Sequence, residues 1–310
     1  MNRARGVADM RFAYGTNGFT DHRLDDALLV LADLGYDGVA LTLDSGHLDP
    51  YAPGLARRVD AVATRLTALG LRVVVETGGR YVLDRHRKHH PTLLSPAPEA
   101  ARRIDLLSRA VRVAADLGAD AVSFWSGAKA PGLSDGEAWG RLRRGVEHVL
   151  AQAERHGVVL GFEPEPGMFV QNIAGFERLL ALLGAPSRLG MTLDLGHCGC
   201  VEPDPIPECV RRAGPWLVNV QIEDMRRGVH EHLEFGEGEI DFPPVLAALA
   251  ETGYRGLVGV ELPRHGHAAP VVAERSLRFL REAWAAAAAH TEKTATMRPA
   301  LAAEQVEAGR

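Results

Sequence analysis

One local pattern recurs six times along this 310-residue chain: an amphipathic segment ends in glycine, and an apolar run begins within a few residues. Glycine suits the left-handed residue that closes a helix, and a run rich in β-branched residues favours a strand. Each occurrence therefore predicts a helix followed by a strand. The glycines are Gly35, Gly70, Gly118, Gly157, Gly184 and Gly253.

Two further apolar runs, at residues 11–14 and 216–222, bring the predicted strands to eight, with helical patterns between them. The runs are continuously apolar, as expected for parallel strands that are covered by helices on one side and face a barrel interior on the other. The predicted fold is α/β, a single-domain (β/α)8 TIM barrel over residues 11–287. An N-terminal extension at residues 1–10 and a flexible C-terminal tail at residues 288–310 are predicted to flank it.

A doubly wound open sheet is the alternative fold. It normally uses fewer strands and places a Gly-rich phosphate loop after the first strand. The run YGTNGFT at that position lacks the G-x-G-x-x-G spacing, which favours the barrel.

Composition narrows the classes of partner. A chain that is 46% apolar and 24% charged is not disordered, and its formal net charge of −5 offers no basic field for a phosphate backbone. We therefore expect no nucleic-acid partner. No apolar stretch follows the early arginines of MNRARGVADM, so we predict no signal peptide and no membrane partner, and we expect a cytoplasmic protein.

Side chains with oxygen ligands lie at the ends of four consecutive predicted strands: Glu163, Asp194, Gln221 and Glu261. Barrel chemistry takes place at the carboxyl ends of the strands, where three converging carboxylates would repel one another without a cation. Such hard ligands predict Mn²⁺ or Mg²⁺, with Co²⁺ or Zn²⁺ as alternatives. The competing interpretation is that each acid caps the next helix or faces solvent.

With these residues the sequence resembles the xylose isomerase-like barrel superfamily, specifically its sugar phosphate isomerase and epimerase group, over about residues 12–284. The resemblance rests on Glu163, the D-x-x-H of Asp194 and His197, the segments VQIEDMRRG and FGEGEIDF, and Glu261.

The resemblance implies one divalent ion, often Mn²⁺, bound by the strand-five glutamate, the strand-six aspartate, a strand-seven histidine and the strand-eight glutamate. Gln221 stands in place of that histidine, and its neutral amide oxygen binds more weakly than imidazole and favours hard ions. The resemblance also implies that Glu163 and Glu261 are catalytic. They would move a proton between neighbouring carbons of a sugar, sugar phosphate or related polyol ketone while the ion stabilises the enediolate. The expected activity is a metal-dependent isomerase or epimerase of a small sugar-like substrate.

Five residues are predicted to bind the substrate. The resemblance places His197 at a substrate hydroxyl or carbonyl and Arg227 at a substrate contact, with the neighbouring Arg226 as the alternative register for the latter. Glu165, Trp125 and His47 follow strands five, four and two, and Trp125 either stacks on a sugar ring or packs in the structure. The sequence leaves open whether the protein forms a homo-oligomer.

A polar loop is predicted after the third strand, beyond the candidate mouth residues Glu76 and Arg80. Its sequence LDRHRKHHP, at residues 83–91, favours a lid whose cations either neutralise a phosphate or are solvated.

Two histidines leave a second function open. His230 and His232 alternate, so an extended segment would point both rings the same way. In the AP-endonuclease branch of the superfamily the corresponding loop carries D-x-H and helps to bind additional zinc. With His197 the pair would form a second metal site, and the chain would be a multinuclear hydrolase of a small phosphoester. A third interpretation is a non-catalytic barrel, in which Gln221 marks lost metal binding.

Overall fold

A computed structural model of the protein describes residues 10–307, with side chains as far as residue 288. Within it, eight parallel strands form one closed barrel in sequence order. The strands are β1 (Arg11–Gly15), β2 (Gly38–Thr42), β3 (Arg72–Glu76), β4 (Val122–Phe124), β5 (Leu160–Phe162), β6 (Leu189–Asp194), β7 (Leu217–Ile222) and β8 (Leu257–Val260). The (β/α)8 prediction is confirmed.

The helices surround the barrel and connect its strands. They are α1 (Leu24–Leu34), α2 (Leu55–Leu69), α3 (Ala97–Leu117), α4 (Asp135–His156), α5 (Ile173–Leu182), α6 (Leu195–Val201), α7 (Ile206–Ala213), α8 (Phe242–Glu251) and α9 (Ala269–Glu307). None of the helices in this described part combines the length and apolar character that a membrane span requires.

Closure between the first and last strands excludes the open sheet. Phe12 pairs with Val258 and Tyr14 with Val260 in parallel register. The helix ends also agree with the sequence pattern, because all six predicted glycines have φ between 64° and 87°. This left-handed conformation is costly for residues with a Cβ atom and free of strain for glycine.

The barrel interior changes from apolar to polar along the strand direction. Ala13, Val74, Ala121 and Leu257 form a small buried cluster of their own. They come from separate parts of the barrel, so they meet across its interior. Side chains two or four residues further along a strand face the same way. The step from Val74 leads to Glu76, and the step from Leu257 leads to Glu261. The alternation of side chains along β3 and β8 therefore directs Glu76 and Glu261 into the barrel interior at the carboxyl ends of the strands.

Both predicted flanking segments remain predictions. The extension at residues 1–10 lies outside the described residues except for its last member. Helix α9 runs through to Glu307, but the side chains of the predicted tail lie outside the described ones beyond residue 288.

Candidate active site

A cavity of about 490 Å³ opens at the carboxyl ends of the strands. Eleven of the side chains singled out in the sequence line it: His47, Glu76, Arg80, Trp125, Glu163, Glu165, His197, Gln221, His230, His232 and Glu261. Asp194 is not part of the lining, because it is buried beneath His197 with 1% of its surface exposed. The structure thus brings together all but one of the predicted site residues.

The exception is Arg227. It is exposed on a turn of the loop after β7, and its backbone N–H donates to Glu239. The turn is set by Asp224, whose carboxylate accepts N–H groups of Gly236, Gly238 and Ile240 at 2.8, 3.0 and 3.2 Å. This folding-back carries Arg227 outward and returns the two loop histidines to the cavity.

The cavity floor is a group of carboxylates. Burial, together with the charge of Glu261, raises the pKa of Glu76 to about 8, and the same two causes raise that of Glu165 to about 8. Burial and the neighbouring Glu165 raise the pKa of Glu163 well above its usual range. Burial also raises the pKa of Glu261. The acids are therefore close enough to disfavour one another's charge, and a cation would remove that penalty.

Strand β7 positions the ionisable groups. Asn219 and Gln221 face the same side of the strand, and Glu223, just past its end, continues the series. Asn219 Nδ2 donates to Glu76 at 3.1 Å, and Gln221 Nε2 donates to Glu261 at 2.8 Å. Glu223 Oε2 lies 3.9 Å from His232 Nδ1. Each β7 side chain thus contacts a group from another part of the barrel.

Asp194 has both the capping role and a place in the site. Its Oδ1 accepts the backbone N–H of His197 at 2.8 Å and so caps helix α6. Its Oδ2 has no hydrogen-bond partner among the described residues and lies 3.6 Å from His197 Nε2. The other ring nitrogen of His197, Nδ1, lies 3.6 Å from Glu163 Oε1. One histidine therefore bridges the acids of β5 and β6.

Three histidines meet beside these acids. His197 Nε2 lies 3.0 Å from His230 Nε2, and nitrogen atoms of His197, His230 and His232 fall within 4.8 Å of one another. Burial lowers the pKa of His197 to about 4, and burial together with His232 lowers that of His230. Neutral imidazoles are the form that binds metals. Burial opposes a charge on His232 as well, but the contact with Glu223 raises its pKa to about 10.

The donor groups fit a divalent cation. Ligand atoms of Glu163, Asp194 and His197 lie within 4.8 Å of one another, and so do those of Asp194, His232 and Glu261. Asp194 Oδ2, Gln221 Oε1 and His197 Nδ1 are buried without hydrogen-bond partners among the described residues. Buried polar atoms rarely stay unpartnered. The free Gln221 oxygen gives the strand-seven position a usable ligand despite the missing imidazole.

Glu223 explains a glycine in the D-L-G-H segment. The Glu223 side chain is fully buried, and neither of its carboxylate oxygens has a hydrogen-bond partner in the described chain. A Cβ atom on Gly196 would lie 2.1 Å from Glu223 Oε1 and 2.7 Å from Met225 Cε. A Cβ atom at residue 196 would therefore displace the ends of the Glu223 and Met225 side chains.

The remaining predicted contacts lie on the cavity wall. Trp125 meets the ring of His89 edge-on, with centroids 5.1 Å apart, so it packs in the structure and also faces the cavity. His47 Nε2 bonds the Phe19 carbonyl at 3.3 Å, and its Nδ1 lies 3.6 Å from Asp44.

Sequence reasoning missed Asn17 and Asn219. Asn17 Nδ2 donates to Glu261 Oε1 at 2.9 Å, so both oxygens of that carboxylate accept an amide N–H. The signal for Asn17 was its place in the loop after the first strand, which is at the carboxyl end of the barrel. The signal for Asn219 was a polar residue inside an apolar run.

Comparison with known proteins agrees with the resemblance. A sequence model of the xylose isomerase-like TIM barrel family matches residues 28–283. The rhizopine catabolism protein MocC of Rhizobium meliloti is 33% identical over 143 residues, which are 41% of this chain and 43% of that protein. The chain thus spans less than half the length of this relative.

Solved structures share the fold. The structure of an L-ribulose 3-epimerase superposes with a TM-score of 0.76 and 19% identity, covering 92% of this chain and 98% of the epimerase. A crystal structure of the IOLI protein with a bound zinc atom gives a TM-score of 0.70 and 16% identity, covering 88% of this chain and 98% of that protein. The fold neighbours thus include a sugar epimerase, which is an enzyme, and a protein that binds zinc.

Proposed function

The chain belongs to the xylose isomerase-like TIM barrel family, and from this premise we propose that it is a divalent-metal-dependent isomerase or epimerase of a sugar, sugar phosphate or related polyol ketone. The observation that carries the proposal is the placement of two glutamates, Glu163 after β5 and Glu261 after β8, on one cavity floor within electrostatic range of each other. Two carboxylates on one cavity are what a proton transfer between neighbouring carbons needs.

Glu163, Asp194, Gln221 and Glu261 would hold the proposed ion. When bound, it supplies a Lewis acid that polarises the substrate carbonyl. Mn²⁺ and Mg²⁺ suit the oxygen ligands, while the imidazole of His197 beside Asp194 adds support for Co²⁺ or Zn²⁺.

The protein's own groups carry the proton. Glu163 and Glu261 line the same cavity, and a carboxylate placed beside the substrate can act as a general base for a carbon-bound proton. Asn17 and Gln221 fix the two oxygens of Glu261 and so fix the direction from which it approaches the substrate. Either glutamate can remove the proton, and the other can return it.

The cavity wall binds the rest of the substrate. His197, neutral because burial lowers its pKa, can donate to or accept from a substrate hydroxyl. Glu165 and His47 provide further polar contacts, and Trp125 provides an apolar face.

Proton exchange tests the proposal directly. The metal-loaded protein is incubated in D2O with a panel of ketoses and ketose phosphates, and deuterium at the carbon next to the carbonyl is followed by NMR. Glu163→Gln and Glu261→Gln should each slow exchange by about 10²–10⁴-fold, the usual contribution of a general acid or base. Glu274→Gln is the matched control, because Glu274 is exposed on α9. Exchange at the wild-type rate in both site variants would overturn the acid–base assignment.

The histidine cluster favours one second candidate. His197, His230 and His232 fit a second metal ion, and a multinuclear centre suits hydrolysis of a small phosphoester. Elemental mass spectrometry of the purified protein separates the two functions. One ion per chain supports the isomerase, whereas two or three ions that fall by one in His230→Ala, with phosphoester hydrolysis, support the hydrolase.

A further inference from the structure

Three cations line the rim of the cavity above its acidic floor. Arg80 and Lys88 belong to the loop between β3 and α3, and Arg264 belongs to the loop after β8. Among the described residues, none of the three makes an ion pair with a carboxylate, although surface arginines elsewhere do, such as Arg72 with Asp120 at 2.8 Å. The rim therefore presents positive charge that the protein leaves unmatched.

Hydrogen bonds from a buried arginine hold the loop that carries two of these cations. The guanidinium of Arg103, on helix α3, is buried and donates to the carbonyls of Pro91 at 2.8 Å and His89 at 2.7 Å. The His89 N–H in turn donates to the Arg80 carbonyl at 2.7 Å. Lys88 lies next to His89 in the chain, so the same anchor holds it. Hydrogen bonds thus hold this loop in place where it lines the cavity.

The third cation is tied to the same wall. Arg80 Nη2 donates to the Pro263 carbonyl at 3.3 Å, and Arg264 is the next residue. The three cations also share one cavity, since Arg80, Lys88 and Arg264 all belong to its lining.

The cavity thus has acidic residues on its floor and cations at its rim, and this separation of charge indicates the class of substrate. We propose that Arg80, Lys88 and Arg264 form an anion subsite at the rim, so that the substrate is a polyhydroxylated ketone carrying a phosphate or carboxylate group. This inference rests on the proposed function, which places the carbonyl end of the substrate at the acidic floor. A neutral sugar would leave the three cations without a negative charge to pair with, whereas an anion forms charge-assisted hydrogen bonds with them.

The experiment compares matched pairs of compounds: a neutral ketopentose and its 5-phosphate, and a neutral ketohexose and the corresponding keto-uronate. Deuterium exchange gives kcat/KM for each, and calorimetry gives Kd for the phosphate, the uronate and inorganic phosphate. We expect the anionic member of one pair to be preferred. Lys88→Met and Arg264→Met should each lower that preference about 10- to 100-fold, as for the loss of a hydrogen bond to a charged group. Arg57→Met, an exposed arginine on α2, is the control and should leave the preference unchanged.

The outcomes distinguish failure of the subsite from failure of the proposed reaction. A preference for the phosphate or for the uronate identifies which anion the subsite takes, and its loss in the two variants supports the proposal. Equal exchange of neutral and anionic sugars, with the same ratio in both variants, overturns the subsite while the isomerase stands. If no sugar exchanges, the proposed function fails, and calorimetry alone decides the subsite: anion binding weakened in Lys88→Met supports it, and binding that is absent or unchanged overturns it.

Discussion

Gly196→Ala tests whether the buried carboxylate of Glu223 shapes the site. The new Cβ atom would lie 2.1 Å from Glu223 Oε1 and 2.7 Å from Met225 Cε. A flexible glutamate would normally move aside at little cost, but Glu223 is fully buried and Met225 is 1% exposed, so neither has free space to enter. Overpacking of this kind costs about 1–3 kcal/mol.

Gly199→Ala is the matched control for this substitution. Gly199 lies on the same helix, α6, and its Cβ atom would meet only Ile206 Cδ1 at 3.5 Å, an ordinary contact. Both variants gain the same helix propensity, roughly 0.5–1 kcal/mol, so it cancels in the comparison. The difference in the free energy of unfolding between the variants is therefore the cost of the clash, about 1–3 kcal/mol.

Thermal unfolding of the metal-free protein, followed by circular dichroism, measures the difference. For a chain of 310 residues we expect Gly196→Ala to unfold about 1.5–5 °C below Gly199→Ala. In a metal titration it should also bind less of the ion that uses His232, because a displaced Glu223 no longer orients that ring. Equal unfolding temperatures for the two variants would refute the argument from packing.

Two further predictions concern single groups of the site. Gln221→His should tighten binding of Zn²⁺ or Co²⁺ about tenfold, roughly 1.4 kcal/mol, because imidazole replaces an amide oxygen. Calorimetry measures the metal affinity of this variant and of the control Gln152→His, on α4. An unchanged affinity in Gln221→His would count against Gln221 as a ligand. Asp44→Asn should lower the free energy of unfolding by roughly 1–3 kcal/mol. Burial opposes both charges, but the Asp44–His47 contact lowers the pKa of Asp44 from 3.8 and raises that of His47 from 6.5. The contribution of charged His47 to stability is full below pH 6.5 and is lost as the pH rises through the raised pKa of His47. The contribution of charged Asp44 is full above pH 3.8 and is lost as the pH falls through the lowered pKa of Asp44. Denaturant unfolding from pH 3 to 8 should therefore show the largest gap between wild type and variant from about pH 4 to 6.5, and a gap independent of pH would contradict the pairing.

The barrel and its acidic end were predictable because local signals and one topological rule suffice. Helix-closing glycines such as Gly35 mark each junction, and parallel strands bring every strand-end residue to the same mouth. Asp194 and Glu261 could thus be placed in one site without knowledge of any contact between them.

Residues whose position depends on the path of a long loop could not be placed in this way. Arg227 is six residues beyond Gln221 and was expected at the substrate, yet it lies outside the cavity lining. The cause is the carboxylate of Asp224, which binds backbone N–H groups as far along the chain as Ile240. A contact across 16 residues leaves no periodic trace in the sequence. The loop at residues 83–91 was predicted as a polar lid, but which of its cations would line the cavity could not be predicted, because the path of the loop depends on the buried Arg103.

The strand-seven glutamine is best understood together with its neighbours on the strand. Gln221 donates to Glu261 through its amide nitrogen and keeps its amide oxygen free of hydrogen bonds within the described residues. Glu223, one step along the same face, approaches His232, whose ring comes from the loop. The imidazole nitrogens near the acids are thus supplied by the loop and by helix α6, while the strand supplies groups that orient carboxylates and histidines. The departure at Gln221 therefore leaves imidazole nitrogens beside the acids, because His197 and His232 supply them from other parts of the chain.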